Sequence, residues 1–238
     1  MTGSGLALHD PKAEYRLGGS MMNLIDLVLL IGVIACAGWG AKRGFVRMIM
    51  ITLGLCVAIV VAVHYNDSFT RELSGYFHAA PLWVSMWAFV IASMLLFGLF
   101  RLAAKVFFRV ANVQKIGKGD QYGGAFVGLI FGWVMMGYIV FLSMFLPLPL
   151  AVEERFENTV LAMKMGASVP FLYETTAQLH PSQSSFMDKM EVTLDEALSI
   201  SKKNNSSKRR AARVGVSDET RVNDFLDRIE RYFASSDY

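Results

Sequence analysis

The chain has 238 residues, of which 54% are hydrophobic and 18% charged, against about 25% charged in soluble domains, and its mean hydropathy is +0.40. A formal net charge of +3 is too small for a nucleic-acid binder, which gathers basic residues on one face of a folded domain. Of the 20 acidic residues only Asp10, Glu14, Asp26, Asp67, Glu72 and Asp120 stand before Ala151, so an apolar membrane part is followed by an ordinary charged tail.

Residues 1–21 are polar and glycine-containing, lack helical periodicity, and read as a disordered N-terminal extension, with Met21 or Met22 as an alternative start. A bilayer core of ~30 Å needs ~20 apolar residues in a helix. Four segments within residues 22–150 meet that length: 24–41, 48–65, 82–100 and 125–146. Lys42, Arg43 and Arg47 follow the first and Asp67 the second, Pro81 precedes the third, and Pro147 with Pro149 ends the fourth. The first segment reads as a retained helix rather than a secretory signal. Its apolar core starts more than twenty residues into the chain, and the stronger positive cluster follows it instead of preceding it.

Cationic short loops stay on the cytoplasmic side of a membrane. Lys42, Arg43 and Arg47 lie between the first and second segments. Arg101, Lys105, Arg109, Lys115 and Lys118 lie between the third and fourth, and Arg71 alone between the second and third. An even number of spans then puts both termini outside the cytoplasm, although Lys12 and Arg16 pull the other way. Arg101, Lys105 and Arg109 recur every four residues on one helical face, with Val106, Phe107, Phe108 and Val110 around them. Either the third helix continues into the membrane interface or these are the snorkelling cations of a helix end.

Small residues let helices approach closely in lipid, where hydrophobic drive between helices is weak. Gly32, Cys36, Gly40 and Gly44 form one four-residue stripe; Gly54, Ala58 and Ala62 a second; Ala88 and Ala92 a third; Gly124, Gly128 and Gly132 a fourth. These seams serve either packing within the bundle or a homo-oligomer that could line a pore, the fourth stripe being the expected oligomer contact. Of the ionisable groups within the spans, Asp26 and His64 are candidates for a relay, but their places near segment ends favour an interfacial position.

The tail, residues 151–238, reads as a short helix near 154–165, a second near 185–200, a flexible basic linker over 201–217, and a terminal amphipathic helix over 218–234. Val222, Phe225, Leu226, Ile229, Tyr232 and Phe233 follow i, i+3, i+4, i+7 spacing in that helix, with Ser217 as N-cap. Phe225, Leu226, Ile229 and Phe233 are the expected docking face, against the membrane, the bundle or a protein partner.

No catalytic constellation is apparent. His9, His64, His78 and His180 are scattered, and neither a Walker loop nor a G-x-S-x-G elbow occurs. Cys36 and Cys56 sit in apolar segments without ligand-like spacing and read as packing residues. No enzyme activity, cofactor or metal is expected, and the expected partners are the lipid bilayer, a second copy of the chain, or a protein bound by the tail.

Two patches resemble the colicin V production protein (CvpA) family. Asp26 precedes an apolar run that closes on Gly40-Ala41-Lys42-Arg43-Gly44-Phe45-Val46, similar to the G-x-x-R-G-F turn of that family. Asp120, Gly124, Ala125 and Gly128, continuing to Gly132, are similar to its D-x-x-x-G-A-x-x-G motif. Phe131 stands where the family often carries a basic residue. The resemblance covers about residues 22–150. It implies an all-α, multi-pass protein of the bacterial inner membrane that supports colicin V-type toxin production or export and envelope homeostasis. The alternative drawn from the seams is a small oligomeric channel or transporter component.

Overall fold

The computed structural model describes residues 24–76, 80–110, 117–146, 159–176, 185–206 and 211–234; within them, the side chains of 110, 160, 203–206, 211–217 and 231–234 are not described. The described residues form helices and short connections and contain no strand. The proposed N-terminal extension, 1–21, lies outside them.

Four helices have the length and apolarity to cross a membrane: α1 (Leu24–Arg43), α2 (Phe45–His64), α4 (Pro81–Val110) and α5 (Lys118–Met144). At 1.5 Å per residue α1 and α2 are each about 30 Å long, the thickness of a bilayer core, whereas the 30 residues of α4 reach about 45 Å. Arg101, Lys105 and Arg109 all lie on the last third of α4. The third span thus runs on as one helix well past residue 100, carrying these three cations on its extension.

Outward faces of the four spans are apolar. Leu24, Val28, Ile31 and Ile34 on α1, Leu53 on α2, Met94, Leu95 and Leu99 on α4, and Phe126 on α5 are all more than half exposed. Apolar exposure on this scale would be a liability in water and is the expected surface against acyl chains. Inside, Met48, Ile59 and Val63 of α2, Phe89 of α4 and Phe141 of α5 are fully buried. Phe89 and Phe141 meet edge to face at 5.6 Å, and the Ser93 and Tyr138 hydroxyls share a buried hydrogen bond of 2.6 Å, which satisfies both polar groups away from water.

A helix unforeseen in the sequence, α3 (Asn66–Tyr76), joins α2 to α4. The tail adds α6 (Val160–Gly166), α7 (Ser168–Thr175), α8 (Phe186–Ser206) and α9 (Ala211–Ala234). Several expected tail boundaries are corrected. The first described tail helix runs from Val160 and a second from Ser168; residues 151–158, on which the start of the expected helix near 154–165 falls, lie outside the described set. The expected linker 201–217 is helical up to Ser206 and again from Ala211, with only 207–210 undescribed. Because α9 starts at Ala211, Ser217 lies inside the helix and does not cap it. Good helix formers such as Ala211, Ala212 and Arg213 precede it, so the capping residue was not the first place the helix could begin.

Tail helices pack on one end of the bundle. α8 lies along α3 and α4, α9 on α8 with contacts to α4 and α5, and α6 on α5 and α1. Phe186, Met190 and Leu194 of α8 and Val222, Phe225 and Ile229 of α9 are buried in the same core cluster as the spans.

Candidate functional site

Only Gly44 separates α1 from α2, and its φ of +84° is a conformation that residues with a Cβ rarely adopt. A Cβ there would also strike the Asp120 carboxylate. Asp120 lies in the first turn of α5, and its Oδ1 accepts a hydrogen bond of 2.8 Å from the Phe45 N–H. That N–H is one of the four amides that the start of a helix leaves unbonded. Asp120 therefore caps α2 from a different helix, and its negative charge faces the positive end of the α2 dipole. The Phe45 ring lies over Gly123, where a Cβ would come within 2.8 Å of it.

Both glycine stripes of α1 and α5 face each other. A Cβ on Gly40 would collide with the Gly124 carbonyl; on Gly124 it would lie 2.5 Å from the Gly40 carbonyl oxygen, on Gly128 2.7 Å from that of Cys36, and on Gly132 3.0 Å from Val33 Cα. Backbones can meet so closely only where side chains are absent. Gly32 opposes the flexible Met136 side chain, and Gly54 faces Phe100 of α4, its Cβ position 3.0 Å from that of Phe100. Ala125 is half-buried beside this seam, and Phe131, in the position where the resemblance anticipated a cation, is buried with its ring 5.7 Å from that of Trp39. One close approach had no stripe to announce it: Gly137 lies against Met165 and Ser168 of the α6–α7 pair.

Asp26 is 7% exposed in the first turn of α1. Its Oδ1 accepts a 3.2 Å hydrogen bond from the Leu161 N–H, an amide in the first turn of α6. It is buried beneath α6 at the end of the first span, and it repeats at the opposite end of the α1–α5 pair what Asp120 does at α2. His64 ends α2, with its ring edge-on to Tyr65 at 4.8 Å.

Phe225 stacks against Phe145 at the end of α5, ring centres 4.4 Å apart. Ile229 is fully buried, Leu226 packs at the core's margin, and Arg228 Nη1 donates to the Met144 carbonyl at 3.5 Å. The Phe233 side chain lies outside the described residues. Ion pairs Arg71–Glu196 at 2.6 Å and Lys189–Asp67 at 3.8 Å join α3 to α8, and Lys202–Glu219 joins α8 to α9. Arg71 and both members of Lys202–Glu219 are exposed, and such pairs contribute little; Lys189–Asp67 is half-buried but long, so the buried apolar side chains hold most of the tail. Burial pushes the Asp218 carboxyl above the usual carboxylate range, with Arg221 opposing the shift.

At the other end of the bundle, α2 and α4 border a cavity of about 720 Å³ lined by Arg43, Arg47, Arg101, Lys105 and Arg109, with Ile51, Leu102 and Phe108 among its apolar walls. Arg43 lies 4.0 Å over the Trp39 ring, Arg47 5.1 Å over Phe108 and Arg101 5.9 Å over Phe97. Sequence patterning had grouped only the three α4 cations. Among the described residues no group of three or more His, Cys, Asp or Glu side chains gathers as a metal would require.

An all-α bundle of four membrane-spanning helices, joined at a glycine turn and capped by acid-to-amide bonds between helices, defines a multi-pass membrane protein. The family model described as Colicin V production protein matches residues 25–170, well over half the chain, and the chain belongs to that family. A search of curated proteins and one of solved structures return no match. The match runs some twenty residues past Leu150, where the sequence resemblance stopped. It thereby includes α6, whose first turn Asp26 holds and whose body Gly137 admits, and ends at the start of α7.

Proposed function

We propose that this chain is a non-enzymatic inner-membrane protein that supports production or export of a colicin V-type peptide toxin, and envelope homeostasis, through contacts made by its helices and tail. The observation that carries this reading is the family match across α1–α6, a stretch whose elements pack as one unit. Charge supports an orientation. The cations of the Gly44 turn and the α4 extension gather at one end, whereas the α3 connection at the other carries Arg71 alone; the tail docked there exposes Asp188, Glu191, Asp195, Asp224, Asp227 and Glu230 against the described cations Lys164, Lys202 and Arg221. By the positive-inside tendency the Gly44 turn faces the cytoplasm and the tail lies outside it. The exposed, acidic side of α8 and α9 is then the surface offered to a protein partner.

The test is complementation in a colicin V-producing strain that lacks this chain. Full-length protein restores toxin in the culture supernatant, and a chain ending before α9 inserts in the membrane but restores less. Equal toxin release with and without α9 would remove the tail from the account, and no effect of the whole chain would remove the toxin role. The channel reading is the weaker one. The α5 stripe on which it leaned faces α1, so a second copy would have to dock on the outward apolar faces instead.

A further inference from the structure

We propose that the cavity between α2 and α4 is a binding site for a phosphate-bearing anion, supplied by the headgroup of an anionic phospholipid or by a soluble phosphate compound. Five cationic side chains from the end of α1, the start of α2 and the last third of α4 line it. Among the described residues no carboxylate lines it, and none of the three ion pairs they form engages any of these five. Like charges gathered in one concavity repel each other and focus a positive potential on whatever enters. Arg47, Arg101, Lys105 and Arg109 are exposed and Arg43 is half-buried, so a ligand can reach all five. Three of the arginines lie over aromatic rings, Trp39, Phe108 and Phe97, which stiffens the guanidinium planes without neutralising them.

Shape and chemistry narrow the ligand. The cavity's 720 Å³ lies within the range of about 300–1,000 Å³ usual for small-molecule sites. Arginine's fork of donors matches phosphate oxygens in bidentate geometry. The aromatic and aliphatic walls Ile51, Leu102 and Phe108 continue the cationic end into an apolar side, and the neighbouring Val106 and Phe107 are more than half exposed on the same stretch of α4. A phosphate with acyl chains fits both halves of that surface, so the lipid source is the expected one.

The test uses the purified full-length chain in nanodiscs and in a neutral detergent. In one arm, phosphatidylglycerol is titrated against phosphatidylcholine and retained lipid is read by native mass spectrometry; in the other, inorganic phosphate and pyrophosphate are titrated in detergent with thermal unfolding as readout. The expected result is saturable retention of phosphatidylglycerol over phosphatidylcholine, weakened about tenfold or more in an Arg47→Gln/Arg101→Gln double variant. The charge-keeping Arg47→Lys/Arg101→Lys pair and the distant Arg71→Gln should bind within about threefold of the parent. Protection by inorganic phosphate or pyrophosphate alone, lost in the same double variant, would assign the site to a soluble phosphate. Absence of both, or equal binding by the double variant and the parent when both unfold at similar temperature, would overturn the proposal. Neither outcome depends on the toxin role proposed above.

Discussion

The Asp120 carboxylate accepts the Phe45 amide hydrogen at 2.8 Å across 75 residues of sequence, so the start of the fourth span closes the turn between the first two. Replacing Asp120 with Ala strands that amide and removes the charge at the α2 N-terminus. Stability should fall by about 1–2 kcal/mol, as for loss of an N-cap. Asp120→Asn, which keeps an acceptor oxygen, should lose less. Unfolding in detergent micelles measures both, and equal stability of Ala, Asn and Asp proteins would detach the bond from the fold.

Glycines of the α1–α5 seam should behave unlike glycines in open space. Gly128→Leu drives a side chain into the Cys36 carbonyl and the Ala37 backbone and should cost about 1–3 kcal/mol or more. Gly38 and Gly98 have no neighbour within 4 Å of a Cβ position, so Gly38→Ala and Gly98→Ala should leave the unfolding temperature unchanged or raised. Denaturation of the three variants side by side separates seam from surface.

Phe225→Asp places a carboxylate where an aromatic ring now stacks on Phe145 and should undock α9 at a cost of at least about 3 kcal/mol. Limited proteolysis should then cut in α9 while the spans stay protected. A digestion pattern identical to the parent's would contradict docking on the bundle.

Asp218 gives the docked tail a pH dependence of definite sign. Its folded carboxyl is raised by burial, so the folded state holds a proton that the unfolded state releases near pH 4. The stabilisation is complete below that pH and is lost as pH rises through the folded value. Asp218→Asn should flatten this dependence and tighten α9 docking at neutral pH. Hydrogen exchange of α9 at acidic and neutral pH reads it.

Hydropathy alone marked all four spans, since a run of twenty apolar residues has few other uses. It could not mark α3, whose sequence NDSFTRELSGY is mostly polar and becomes helical by packing between α4 and α8. The four-residue stripes showed which faces were flat but not which stripe met which, because a periodicity carries no information about its partner. Gly137 escaped for a geometric reason: five residues beyond Gly132 is about 140° around the helix, so it faces α6 and not α1. Asp26 and Asp120 were visible as family-motif acids, while the amides they cap, at Leu161 and Phe45, became visible only once distant segments were brought together.

The most direct test of the central claim, a four-span bundle with its glycine turn and its docked tail at opposite faces of the membrane, is a topology map. Reporter fusions placed after Phe45, Ser74, Lys118 and Ser235 should report the cytoplasm at Phe45 and Lys118 and the outside at Ser74 and Ser235. A Ser235 fusion on the same side as Phe45 would contradict the account.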